Sequence, residues 1–345
     1  MTTLKAHSDQ LFGLETSLKP YNTFGLDAHC SGLYHIYSAK DFIEFLHKEL
    51  TPFRIIGGGS NILLTGDING YIVKNEIKGI HIEEENDETI QVRVGSGEIW
   101  HQFVMWSLSH RLYGLENLSL IPGTVGAAPM QNIGAYGIEQ EHVFHSLNAI
   151  EIATGKIVNF SKEVCMFGYR ESIFKNTHKD KYFITDVTYC LYKKPQRLHI
   201  AYGAIAETLQ MKHISNPTSS DISEVVIEIR KSKLPDPKII GNAGSFFKNP
   251  VIDINHYKSL KIQYPDIPSY PVSESAVKVP AGWLIEQLGF KGIIRENIGV
   301  HKKQALVLVN YGNGSGRDIW NLAMEIQNKV REVFSIDIAP EVNIW

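Results

Sequence analysis

Ile121-Pro122-Gly123-Thr124-Val125-Gly126-Ala127-Ala128-Pro129-Met130-Gln131-Asn132-Ile133-Gly134-Ala135-Tyr136-Gly137 sets small residues close together and carries no charged side chain. Such a segment is poorly equipped to pack a core through its own side chains. It can wrap a flat, uncharged ring system with backbone amides and small contacts, and a flavin isoalloxazine would suit it. A buried irregular loop is the plainer alternative, and these residues alone leave both open.

Upstream lies a second glycine segment, Gly57-Gly58-Gly59-Ser60-Asn61, directly after the apolar run Phe53-Arg54-Ile55-Ile56. This reads as a strand entering a glycine loop. Glycines accept positive φ and carry no Cβ, so successive N–H groups can point at a phosphate. A tight turn would give the same pattern. The Rossmann fingerprint fails because Ile62 stands where its third glycine would be. A P-loop fails because Gly155-Lys156 is followed by Ile157.

Around these loops the chain reads as mixed α and β. Ser38 with Asp41 predicts a helix start, followed by Phe42, Phe45, Leu46 and Leu50 at helical spacing. Tyr71-Ile72-Val73, Thr89-Ile90-Gln91-Val92-Arg93-Val94 and residues 147–152 and 182–192 read as strands. Residues 210–220 are polar, contain Asn216-Pro217, and predict a linker. A helix is expected after it, with Ile222, Val225, Val226 and Ile229 on one face. Residues 234–250, rich in Pro and Gly, predict a loop. Gly312-Asn313-Gly314-Ser315-Gly316 reads as a surface loop before a helix striped by Ile319, Leu322, Ala323, Ile326, Val330 and Val333. Residues 338–344 alternate like a final strand. The class is α+β in at least two units.

Composition narrows the function. In 345 residues, 34 Lys and Arg against 37 Asp and Glu leave a net charge of −3. That argues against nucleic acid held by a strongly basic surface, and it means an anionic ligand needs locally placed cations. The three cysteines, Cys30, Cys165 and Cys190, are far apart, which disfavours a disulfide framework or structural zinc. No H-E-x-x-H motif appears, and no metal site is expected. Residues 1–9 hold no apolar leader core, and no apolar run approaches the roughly 18 residues of a membrane span, so a cytoplasmic protein is expected.

Three charged or nucleophilic residues stand out. Arg170, in Phe167-Gly168-Tyr169-Arg170-Glu171-Ser172, could form a fork-like pair with a ligand carboxylate, or a structural ion pair. Ser245 follows Ala243-Gly244 and precedes Phe246-Phe247. Phe247 replaces the last glycine of a nucleophile elbow, which disfavours an acyl-enzyme and leaves a proton or ligand donor, or a turn serine. Glu341, flanked by Ile338 and Val342, is expected to be partly buried. Lys231, Lys233, Lys238 and Lys248 fall in one loop-rich span and could meet a diphosphate.

Further segments are Leu18-Lys19-Pro20-Tyr21-Asn22-Thr23-Phe24-Gly25, Gly114-Leu115-Glu116-Asn117, Lys233-Leu234-Pro235-Asp236-Pro237 and Ala281-Gly282-Trp283-Leu284-Ile285. With the loops above and Pro340-Glu341-Val342, in this order and over nearly the whole chain, they resemble the UDP-N-acetylenolpyruvoylglucosamine reductase (MurB) family. These are flavoenzymes of bacterial peptidoglycan synthesis.

The resemblance implies a two-subdomain FAD-binding fold of the vanillyl-alcohol-oxidase (PCMH) type, over residues 1–75 and 76–215. A C-terminal α+β substrate-binding domain over 216–345 would end in a catalytic strand. It implies NADPH as reductant and UDP-N-acetylglucosamine enolpyruvate as substrate. FAD is expected to be non-covalent, because Ser60-Asn61 follows the glycines where some oxidases of that superfamily carry a tethering histidine. Arg170, Ser245 and Glu341 fall on catalytic positions. Tyr202, Lys233 and Asn249 fall on positions that contact the UDP-sugar, and Tyr202, in His199-Ile200-Ala201-Tyr202-Gly203, marks the family's first type. FAD would be met by Gly57, Gly58, Gly59, Ser60 and Asn61. The second loop would contribute Pro122, Gly123, Thr124, Gly126, Ala127, Asn132, Gly134 and Ala135.

Overall fold

A computed structural model describes residues 16–345. The N-terminal residues read above for a leader, 1–9, lie outside the described residues. The chain divides into two compact units. The first holds Cys30–Gly58 and Asn69–Arg230 with Thr16. The second holds Ser17–His29, Gly59–Ile68 and Lys231–Trp345.

In the first unit Ile68–Asn75 lies between His29–Ile36 and Phe53–Ile56, and it pairs in parallel with Phe53–Ile56. A parallel neighbour requires a crossover, and the residues between them carry the glycine loop. The helix Ala39–Leu46 starts where expected, with Ser38 Oγ accepting from Asp41 N. Its Phe42 is fully buried and stacks on Phe183 at 4.0 Å between ring centroids, beside Phe45, Ile36 and Val73. We expect Phe42→Leu to keep the apolar volume but lose the stack, costing about 1–2 kcal/mol. A urea midpoint unchanged from wild type would contradict this.

A five-stranded antiparallel sheet follows, in the order Ile157–Ser161, Phe144–Glu151, Tyr182–Tyr192, Thr89–Gly95, Ile80–Glu85. Val92, Val94, Leu147, Val187 and Leu191 alternate into a core closed by Trp100 and Phe103 of the helix Trp100–Ser109. The alternation expected for residues 89–94 is the inward face of this sheet.

One expectation about the 121–137 loop needs correction. Ile121, Val125 and Ala128 are buried in the same core, so the segment does pack through some of its side chains. Short 3-10 turns at Val125–Ala127 and Pro129–Gln131 make this possible. They turn Val125 inward, with Gly126 buried beside it and Ala127 left exposed.

The stretch around residues 203–233 is more regular than expected. Residues 203–211, not predicted to be regular, form the helix Gly203–Met211. The polar stretch read as a linker is the turn from it into Ser219–Lys233. Ile222, Val225, Val226 and Ile229 form the expected face, and they bury against Ile205 and Leu209 of the first unit. The division into compact units falls at Arg230, inside this helix.

The second unit is built on an antiparallel sheet, Gly241–Asn242, Leu308–Asn310, Ile298–Val300, Ile294–Arg295. The helix Gly316–Phe334 belongs to the same unit. The expected stripe is buried from Ile319 to Val330, but Val333 is 40 % exposed and Phe334 takes its place at 1 %. The helix advances four residues from Val330 before Ser335 ends it in a left-handed conformation. Residues 338–344 are not one strand. Pro340 makes an isolated bridge to Phe247, and only Asn343–Ile344 pairs, in parallel, with Ile62–Leu63.

Among the described residues, no helix is long and apolar enough to cross a membrane. No group of three or more His, Cys, Asp or Glu among them is arranged to hold a metal ion.

Candidate active site

In the first unit the two glycine loops meet backbone to backbone. A Cβ on Gly57 would stand 2.5 Å from Thr124 Oγ1, and one on Gly58 would stand 3.0 Å from Gly123 Cα. Only residues without side chains allow this approach. Lys74 Nζ donates to the Gly57 carbonyl at 2.6 Å. In a trans peptide the following N–H points the opposite way, so the Gly58 N–H is turned from the lysine. Burial lowers the Lys74 pKa, and Glu76 nearby works against that shift. Gly126 is also pinned, its N–H donating to Ser96 O at 2.8 Å. A bare-backbone loop opposite a small-residue loop fits the phosphates and flat ring of a dinucleotide flavin. Asn132 is different from its neighbours. It is fully buried, its Nδ2 donates to Glu139 Oε2 and Gly168 O, and its Oδ1 accepts from Gln140 Nε2 and Glu141 N. Its side-chain amide is saturated by these four residues.

Arg170 sits at the far end of this loop in a left-handed conformation, φ 56°. Its Nη2 donates to Gly134 O at 2.5 Å and its Nη1 to Asn132 O at 3.5 Å, with Glu139 Oε1 at 3.7 Å. A structural ion pair of the kind weighed from sequence thus exists, with Glu139.

Sequence reasoning missed two neighbours. Tyr136, inside the quoted loop, has a hydroxyl bonded to the partly buried Arg230 guanidinium, whose Nε donates to Leu120 O at 3.2 Å. Burial holds the Arg230 guanidinium below its usual range, and the positive charge of Arg170 adds to that. Two like charges drawn close favour an anion between or beside them. The available signal was Arg230-Lys231-Ser232-Lys233, where only the lysines were counted.

Tyr202 is at the entry of the helix Gly203–Met211, 45 % exposed, its ring 5.7 Å from Tyr136 at 84°. Asn117 explains the Gly114–Asn117 segment: its Nδ2 donates to His199 O at 2.9 Å and Tyr136 O at 3.3 Å. It thereby joins the tyrosine segment to the loop.

In the second unit Ser245 is exposed between Gly244 and two buried phenylalanines. Phe246 N donates to Leu306 O at 2.7 Å, and Phe246 O accepts from Glu341 N at 2.8 Å. Ser245 and Glu341 therefore stand on adjoining backbone segments. Glu341 is half-buried as expected, and its carbonyl accepts from Asn61 Nδ2 at 3.2 Å. Asn249 Oδ1 accepts from Ala281 N, the first residue of the helix Ala281–Gln287, at 3.0 Å. That bond fixes the Asn249 amide and turns its NH2 end outward from the helix. Lys233 is exposed at the end of Ser219–Lys233. The Lys19–Gly25 segment is structural: Asn22 bonds Leu18 O, Leu26 O and Leu26 N, and Thr23 N donates to Gly59 O at 3.1 Å.

Comparison with known proteins agrees with this arrangement. Residues 35–161 match an FAD binding domain model, and residues 236–345 match the UDP-N-acetylenolpyruvoylglucosamine reductase C-terminal domain. UDP-N-acetylenolpyruvoylglucosamine reductase of Flavobacterium johnsoniae is 48% identical over 95% of this chain and 98% of its own. That of Pseudomonas aeruginosa is 45% identical over 95% and 97%. The crystal structure of the corresponding reductase (MurB) from Thermus caldophilus superposes with TM-score 0.65 at 22% identity, over 96% of this chain and 98% of that one, which shows the shared fold. An FAD-binding domain joined to this C-terminal domain defines a flavin-dependent oxidoreductase. The chain belongs to the UDP-N-acetylenolpyruvoylglucosamine reductase family.

Proposed function

We propose that this chain reduces UDP-N-acetylglucosamine enolpyruvate to UDP-N-acetylmuramate with NADPH, in peptidoglycan precursor synthesis in the cytoplasm. The observation that carries this reading is 48% identity over nearly the full length of a reductase of that name. Gly57–Asn61 and the 122–135 loop would hold FAD. The functional division into 1–75, 76–215 and 216–345 is part of the same proposal.

When bound, FAD would supply two-electron chemistry, hydride transfer from NADPH by way of N5 to C3 of the enolpyruvyl group. Arg170 binds the substrate carboxylate and, with Glu341, offsets the negative charge that develops at C2. Ser245 donates a proton to C2 as general acid, and a carbanion-like centre is basic enough to take it. Lys233 meets the diphosphate, whose charge a protein of net −3 does not otherwise balance. Tyr202 covers the UDP-sugar, and Asn249 donates to it from its fixed amide.

The test is the absorption spectrum of the purified protein. A flavin band should bleach with NADPH and return on anaerobic addition of the UDP-sugar. Oxygen consumption on a sugar or alcohol without NADPH would favour a flavin oxidase instead, and a colourless protein would favour a binding protein.

A further inference from the structure

Neither Gly57–Asn61 nor the segment 121–137 contains a charged side chain. A diphosphate bound by backbone alone would add negative charge to a protein already at −3. A cation stands on the neighbouring strand. Parallel pairing sets Lys74 of Ile68–Asn75 against Ile56, which directly precedes Gly57. From there its ammonium reaches past the strand end to the Gly57 carbonyl at 2.6 Å. The side chain is half-buried, and its partner there is neutral. Lys78, further along the same segment, is instead paired with Glu98 at 3.6 Å. Glu76, the carboxylate in the surroundings of Lys74, has its Oε2 engaged by His35 Nδ1 at 2.7 Å. A half-buried ammonium on a carbonyl keeps its full charge, and an anion nearby stabilises it.

We propose that Lys74 is the cation that balances the FAD diphosphate: seated behind Gly57-Gly58 by its bond to the Gly57 carbonyl, it supplies the positive charge that the loop itself lacks. This rests on the reading of Gly57–Asn61 as the FAD loop given above. The peptide that turns its carbonyl to Lys74 turns the Gly58 N–H the opposite way, so the lysine acts across the peptide as a positioning and charge-balancing residue. At that range salt screens the attraction in part, whereas it does not screen a packing defect.

The experiment measures the FAD dissociation constant of Lys74→Met, Lys74→Gln and Lys74→Arg by diluting the flavin-loaded proteins and reading the fluorescence of released FAD. Lys74→Met and Lys74→Gln should each raise the constant about tenfold at low salt, and Lys74→Arg, which keeps the charge, less than about twofold. Between about 50 mM and about 500 mM KCl the Lys74→Met effect should shrink to about threefold. Lys74→Gln keeps a donor for the Gly57 carbonyl without the charge, so wild-type retention of FAD in that variant overturns the proposal. A Lys74→Met effect that salt leaves unchanged overturns it too, and so does a lower melting temperature with an unaltered constant. If Gly59→Ala sheds FAD and Lys74→Met does not, only the role of Lys74 fails. If both retain it, the reading of the loop fails and this proposal falls with it.

Discussion

Ser245→Ala should reduce its flavin with NADPH at close to the wild-type rate, yet reoxidise with the enolpyruvyl substrate about 10²–10⁴-fold more slowly. That range is what a positioned proton donor contributes. The structure makes the variant a clean probe. Ser245 is exposed, and its backbone is held from both sides by the bonds of Phe246 to Leu306 and Glu341 and of Lys248 to Ala339. Removing an exposed Oγ disturbs no packing, so stability should change by less than about 0.5 kcal/mol. Stopped-flow measurement of the two half-reactions separates chemistry from folding. Equal losses in both would remove Ser245 as the acid and leave it a turn residue.

Gly59→Ala should cost about 3 kcal/mol or more at the glycine loop and weaken FAD retention by roughly 100-fold. Gly59 has φ 64°, and a Cβ there would stand 1.9 Å from Tyr21 O. Backbone cannot move aside as a side-chain tip can. Its carbonyl also accepts from Thr23 N, so a shift that relieves the clash breaks that bond. Gly155→Ala is the control. Its φ of 69° is similar, but nothing stands within 4 Å of the added carbon, so about 1 kcal/mol and normal flavin content are expected. Flavin absorbance per chain after gel filtration decides it. Full occupancy in Gly59→Ala would mean that the loop conformation does not govern cofactor binding.

Local periodicity and residue type were enough for much of this protein. The helix at Ser38 was legible because its cap and apolar spacing are local. The strand at 89–94 was legible because alternation survives in a sheet with one face in the core. Arg170, Ser245 and Glu341 stand out locally in charge or reactivity, but only the family resemblance gives them roles, and those roles belong to the proposal. Tertiary contact decided the rest. Val125 and Ala128 join the core only because 3-10 turns rotate them inward, a rotation that no residue type announces. The compact boundary lies at Arg230 because the face of Ser219–Lys233 buries against Ile205 and Leu209, residues contributed by a helix that sequence did not signal. The Tyr136 hydroxyl and the Arg230 guanidinium meet although they lie 94 residues apart along the chain. Pairing energy depends on where two groups meet in space, and that is set by the packing of the whole fold rather than by either neighbourhood along the chain.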